Sequence, residues 1–187
     1  MKITLQQVRR MGLFEEIEQP KIVYHMTDRK NIPSILKDGK IKSVRENGTQ
    51  ADFMTFFFPS LEEIPVYIEL TGADTGRKYY DFDGHIHTAP PLNHAETVIL
   101  KLEPRGRQPL EWYKEAINDS NRTFPDEATR KLWEYMNNAR ICHYGEMRFK
   151  DNPEIIELAT VDAMPESEKL KEIRRIKTEA KKPSMQK

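Results

Sequence analysis

A single cysteine, Cys142, stands in the 187 residues, so no internal disulfide can staple the chain, and a lone thiol fits a reducing cytoplasm. No apolar run reaches the 18 residues that would cross a bilayer. The first ten residues are too polar for a signal peptide, and a cytoplasmic location is the expectation. Charge of one sign is lacking too. Thirty Lys and Arg balance thirty Asp and Glu, so the overall field exerts no pull toward nucleic acid or membrane, and any such binding rests on local patches. Neither a Gly-x-Gly-x-x-Gly nor a P-loop Gly-Lys-Ser/Thr occurs, which excludes the two commonest ways of holding a nucleotide. Cys-x-x-Cys and His-Glu-x-x-His are also missing. His85, His87 and His94, with Asp81 or Asp83, therefore read as a solvated histidine-containing loop and not as a metal site. A two-histidine phosphoesterase needs two His-x-Thr motifs; His25-Met-Thr27 is one, and His85-Ile-His-Thr88 does not supply the second. Cys142 and His143 make no nucleophilic pair, since neighbours in a strand point to opposite faces.

What is present is a chain with 37% hydrophobic and 32% charged residues, enough for one domain with a real core. Residues 1–165 read as that domain and 166–187 as a charged helical tail carrying Leu170, Ile173 and Ile176. Leu5, Val8, Leu13, Phe14 and Ile17 give residues 2–18 weak helical spacing, an amphipathic lead-in broken at Gly12. Ile22 to Met26 is a short β-branched and aromatic run, a buried strand bringing His25 and Thr27 to its end. Ile32, Ile35 and Leu36 then repeat at helical spacing, with Asn31 as cap, Pro33 in the first turn and Gly39 as left-handed stop. Residues 40–52 are polar loop. Phe53 to Phe58 is an aromatic strand closed by Pro59, and a turn leads into the apolar run 64–70.

Residues 72–94, with Gly72, Gly76, Pro90 and Pro91, read as a long loop bordering a site. Residues 97–102 form a strand ended by Pro104. Helices are expected over 110–117 and 127–139, the second starting at Pro125 and Asp126 and presenting Leu132, Trp133 and Met136 on one face. A last strand covers 155–161 after Asn152-Pro153. Basic clusters at 101–107, 122–131, 140–150 and 169–182, interleaved with Trp112, Tyr113 and Trp133, could make one positive strip, the footprint of a single-stranded nucleic acid.

Three stretches together carry a resemblance: Tyr24-His-Met-Thr27 with the helix from Asn31 to Gly39, Asp52-Phe-Met-Thr-Phe-Phe-Phe-Pro59 leading to Ile64-Pro-Val-Tyr67, and Asn152-Pro-Glu-Ile-Ile-Glu-Leu158 before Val161 to Pro165. Over residues 20–165 the chain resembles the DarT-type ADP-ribosyltransferases, toxins that attach ADP-ribose from NAD to nucleic-acid bases. The resemblance implies an α+β fold in which a split, bent mixed β-sheet surrounds an NAD cleft, with flanking helices. It implies NAD held by His25, Thr27, Asn31, Phe56, Phe58 and Tyr67, single-stranded DNA or RNA as acceptor, and an antitoxin protein as partner. Related transferases act on protein or on an RNA 2′-phosphate, and an inactive relative would serve as a partner-binding module. The sequence departs from the family after Pro59, where Ser60-Leu61 stand in place of an Arg, a role left vacant or filled by Arg77 or Arg148.

The chemistry has its own logic. Breaking the nicotinamide–ribose bond passes through an oxocarbenium-like state that a carboxylate stabilises. Glu154 is the candidate, with Glu157 and then Glu146 as rivals; residues 154 and 157 face opposite sides of a strand, so only one can serve. His25 and Thr27 supply an imidazole and a hydroxyl for the ribose and the carboxamide. The aromatic side chains can stack on nicotinamide or a base, although alternation leaves about half of them in the core.

Overall fold

The computed structural model describes residues 6, 7, 10, 14–42, 54–80, 86–106, 112–115 and 124–181, with the side chains of 77–80, 87 and 115 left aside. Residues 43–52 of the expected 40–52 loop, Phe53 of the expected aromatic strand, His85, Asp81, Asp83, most of the 2–13 segment and the end of the tail lie outside the described residues, and the start of that loop, Lys40–Ile41, is corrected to a short strand paired with Met147–Arg148.

The strand at the centre of the site is Thr97–Leu102, whose pattern is buried everywhere except at Lys101. A strand apolar on both faces must be covered on both. Here it pairs antiparallel with Val23–Asp28 on one side and with Glu154–Glu157 on the other. In chain order the strands are β1 (Phe14–Ile17), β2 (Val23–Asp28), β3 (Lys40–Ile41), β4 (Met54–Phe57), β5 (Arg77–Tyr80), β6 (Ile86–Ala89), β7 (Thr97–Leu102), β8 (Trp112–Glu115), β9 (Ile141–Tyr144), β10 (Met147–Arg148) and β11 (Glu154–Glu157). The helices are α1 (Ile32–Asp38), α2 (Glu63–Thr71), α3 (Glu127–Ala139), α4 (Leu158–Asp162) and α5 (Glu168–Ala180).

Two main sheets result, ordered β11-β7-β2 and β1-β8-β9-β4, with small pairs β10-β3 and β5-β6. They meet where Tyr24 and Phe58 exchange backbone hydrogen bonds of 3.0 and 2.8 Å, just beyond the end of β4. The fold is α+β, and its described β-structure consists of two main sheets bridged at this seam. Every pairing among the described strands is antiparallel, however, so the mixed sheet is corrected to an antiparallel one.

Between the two main sheets lies a core of Val23, Leu100, Leu102, Phe57, Trp112 and Ile141, against which Ile32 and Ile35 of α1 pack. On the other side of β7, Ile99 meets Phe58, Ile64 and Ile68, with Leu158 and Val161 of α4. Helix α2 is buried on two sides, for Val66 joins Ala139, Leu170 and Ile173 in a separate cluster. Helix α5 is thus fastened by its Leu170, Ile173 and Ile176 stripe, all three buried.

Several elements differ from expectation, each for a packing reason. Residues 112–115 are strand β8 and not part of a helix over 110–117, because Trp112 and Tyr113 enter cores on opposite faces, which a strand allows. Phe14–Ile17 is strand β1, paired to β8, and not the end of a helical lead-in. The last strand stops at Glu157; Leu158 and Val161, three apart, are both buried by turning the chain into α4. Residues 72–94 contain the hairpin β5-β6 in place of a continuous loop. Helix α1 ends as expected at Gly39 with φ 63°, but Asn31 does not cap it through its side chain, since a 3-10 turn, Arg29–Asn31, already leads into the helix. Asp126 does cap α3, accepting from the Thr129 N–H at 2.6 Å.

Candidate active site at the seam of the two sheets

Register decides which side chains share a face. Ile155 lies opposite Leu100 and Leu100 opposite His25; Glu157 lies opposite Val98 and Val98 opposite Thr27. His25, Thr27 and Glu157 therefore project from one face of the three-stranded sheet. Glu154 lies opposite Lys101, itself opposite Tyr24, so it projects from the other face and its carboxylate lies 3.3 Å from the Lys101 ammonium.

His25 is half-buried, with its ring 5.6 Å from that of Phe57 and Nδ1 3.2 Å from the Phe56 carbonyl oxygen. A carbonyl only accepts, so Nδ1 carries the proton and the neutral ring keeps a lone pair on Nε2. Enclosure by protein lowers the His25 pKa, against the smaller opposing effect of that hydrogen bond, and favours this neutral form. Thr27 Oγ1 accepts from Asn31 Nδ2 at 3.1 Å, which leaves its own proton for another acceptor. Glu157 ends β11 and pairs with the Arg29 guanidinium, a hydrogen bond that pulls the carboxyl below its usual range. Because β7 runs between β2 and β11, Arg29 reaches across the end of that strand, a span of about 10 Å at two strand spacings. It also donates to the Ala95 carbonyl at 3.4 Å.

The expected aromatic contacts lie elsewhere. Phe58 is only 6% exposed in the cluster beneath α2, with Tyr67 edge-on at 5.3 Å. Phe56 packs with Met54 and Cys142 on the outer side of the second sheet. The Arg140 guanidinium gathers two of these rings, 4.3 Å from the Phe56 centroid and 5.3 Å from that of Tyr67. The structure thus brings together His25, Thr27, Asn31 and Glu157, and does not bring Glu154, Phe56, Phe58 or Tyr67 to their face. Glu146 pairs instead with Lys40 at 2.7 Å. Arg148 is exposed on β10, and the Arg77 side chain lies outside the described residues. Arg29 and Phe57 are the neighbours that sequence reasoning missed. Alternation could have found Phe57, since it has the opposite parity to the pair chosen; nothing local marks Arg29.

Cys142 is buried with its thiol toward the Tyr113 carbonyl. Among the described residues no group of three or more His, Cys, Asp or Glu could hold a metal, and no helix is long and apolar enough to cross a membrane. His94 instead sits between two carboxylates, Nε2 2.6 Å from Asp74 and Nδ1 2.7 Å from Asp162, beside a depression of about 190 Å³. A second depression, about 220 Å³, borders Glu154, Lys101 and Lys150.

Both carboxylates raise the His94 pKa, Asp74 first. Its folded value thus lies above the ordinary one near 6.5, and the ring's contribution to stability is fully present below about pH 6.5 and is lost as pH rises through the folded value. His25 works oppositely: its lowered folded pKa costs stability as pH falls below about 6.5 toward that value. In urea unfolding, the advantage of the unaltered chain over His94→Asn should shrink as pH rises from 6 to 9. A constant difference would mean that the ring stays neutral.

The cations of the expected positive strip are mostly answered by carboxylates: Lys150 by Glu103, Arg130 by Glu127 and Glu134, Lys131 by Glu172, and Arg174 by Glu69 and Glu166. Arg105 and Arg148, adjacent through a 2.8 Å backbone hydrogen bond, are exposed and have no carboxylate partner among the described residues.

No family model and no curated protein matches the chain. Solved structures that align with it include Thermus sp. 2.9 DarT in complex with carba-NAD+, at 12% identity and a TM-score of 0.36 over 87% of this chain and 91% of that one. The same protein in complex with NAD+ aligns at 13% identity and a TM-score of 0.39, over 87% and 90%.

Proposed function

We propose that this chain is an NAD-dependent ADP-ribosyltransferase whose acceptor is a single-stranded nucleic acid, acting as a toxin or defence effector. The observation that carries the reading is the common face of His25, Thr27 and Glu157 at the seam of two sheets, joined to the sequence resemblance of that strand and helix. The catalytic carboxylate is assigned to Glu157, since Glu154 projects from the opposite face. The neutral His25 accepts from a ribose hydroxyl through Nε2, and the Thr27 hydroxyl, oriented by Asn31, donates to the carboxamide. Glu157, held ionised, stabilises positive charge developing on the ribose as nicotinamide departs, because an anion fixed beside the reacting carbon favours the transition state over the ground state. Arg105 and Arg148 are cations open to an acceptor phosphate. A protein acceptor is the second reading, favoured by the carboxylates that answer most other cations.

NAD should stabilise the fold by mass action, about 2.7 kcal/mol at a hundredfold excess over its dissociation constant. A thermal scan at millimolar NAD tests this, and the absence of any shift defeats the reading. Labelled NAD offered separately with single-stranded DNA, RNA and cell protein identifies the acceptor.

A further inference from the structure

We propose that Arg29 is a latch on the site: in the free protein it holds the Glu157 carboxylate, and on ligand entry it passes to the pyrophosphate of the dinucleotide, which frees Glu157 for the ribose. The inference rests on the reading of this face as an NAD site and deepens it.

Three features support it. First, the Arg29 side chain extends from the end of β2 across β7 to Glu157 on β11, over the sheet end beside Thr27. With the pair made, the carboxylate is engaged and the guanidinium lies across its approach. Secondly, the base of the residue is fixed by the backbone while its head is partly open to solvent. The Arg29 N–H donates to the Glu96 carbonyl at 2.7 Å and the residue opens a 3-10 turn, yet its side chain is 43% exposed and that of Glu157 51%. A pair so wetted is screened and parts readily. Thirdly, a guanidinium fork matches phosphate as well as carboxylate, and a pyrophosphate brings two negative charges against one. Asn31, two residues on, holds Thr27, so the turn that carries the latch also orients a ligand-binding hydroxyl.

The latch makes two ligands respond in opposite directions. ADP-ribose carries the pyrophosphate that receives Arg29; nicotinamide riboside carries none and must open the pair without recompense. Calorimetry on the full chain with Arg29→Ala should show ADP-ribose bound tenfold or more weakly and nicotinamide riboside bound twofold or more tightly. In turnover, Arg29→Ala should raise KM for NAD at least tenfold and change kcat less than threefold, with Arg29→Lys restoring part of the KM. General damage to the fold would weaken both ligands together, and that outcome overturns the latch, as does unchanged binding of both. If the unaltered chain binds neither NAD nor ADP-ribose, the proposed function falls and the latch with it. If it binds and transfers normally while Arg29→Ala does the same, only the latch falls.

Discussion

Glu157→Gln should reduce ADP-ribose transfer by a hundredfold or more while leaving the fold intact, and Glu154→Gln should stay within about threefold of the unaltered chain. The contrast follows from parity and register together. Glu157 shares a sheet face with His25 and Thr27, whereas Glu154 projects from the other face toward Lys101. Gln keeps the shape of Glu but cannot carry the charge that stabilises an oxocarbenium-like ribose, so the loss falls on kcat and not on NAD affinity. Single-turnover transfer and NAD affinity, measured for both variants side by side, decide the assignment. Near-normal transfer by Glu157→Gln with loss in Glu154→Gln would return the catalytic role to Glu154 and place the reaction beside the depression that borders it.

Ile173→Ala should lower stability by about 2–5 kcal/mol, read as a fall in the urea midpoint at unchanged slope. Ile173 is fully buried against Val66, Ala139 and Leu170, where three helices meet. Removing three carbons there leaves a cavity that α2 and α3 can close only by giving up their own contacts. Lys171→Ala is the control. Its ammonium pairs with Glu168 within the same helix at 2.6 Å, at the surface, and its loss should leave the midpoint where it is. A cost for Ile173→Ala below about 1 kcal/mol would show that α5 is peripheral to the folded unit.

Sequence periodicity located much of the fold. The strand Thr97–Leu102 and the helices Glu127–Ala139 and Ile32–Asp38 follow from local pattern, the last with Pro33 near its start and Gly39 in the left-handed region at its end. Pattern failed where burial is two-sided. Trp112 and Tyr113 enter different cores from adjacent positions, so neither a helical nor an alternating stripe shows, and the aromatic pair reads as well in a helix as in β8. Leu158 and Val161 extend the apolar run of β11, and only their packing against Ile64 and Ile99 shows that the chain has already turned into α4.

The site divides the same way. His25 and Thr27, two apart in a short apolar run, must share a strand face whatever the tertiary structure, and Glu154 and Glu157, three apart, must not. Which glutamate joins the histidine depends on how β11 and β2 register on β7, and a shift of one residue would exchange them. That register follows from burial of Ile99 on one side of the sheet and Leu100 on the other, contacts made with residues distant in the chain. Arg29 belongs to the same category. Its position after Thr27 was plain in the sequence, but its partner lies 128 residues away, and only the folding of β11 alongside β7 brings that carboxylate within its reach.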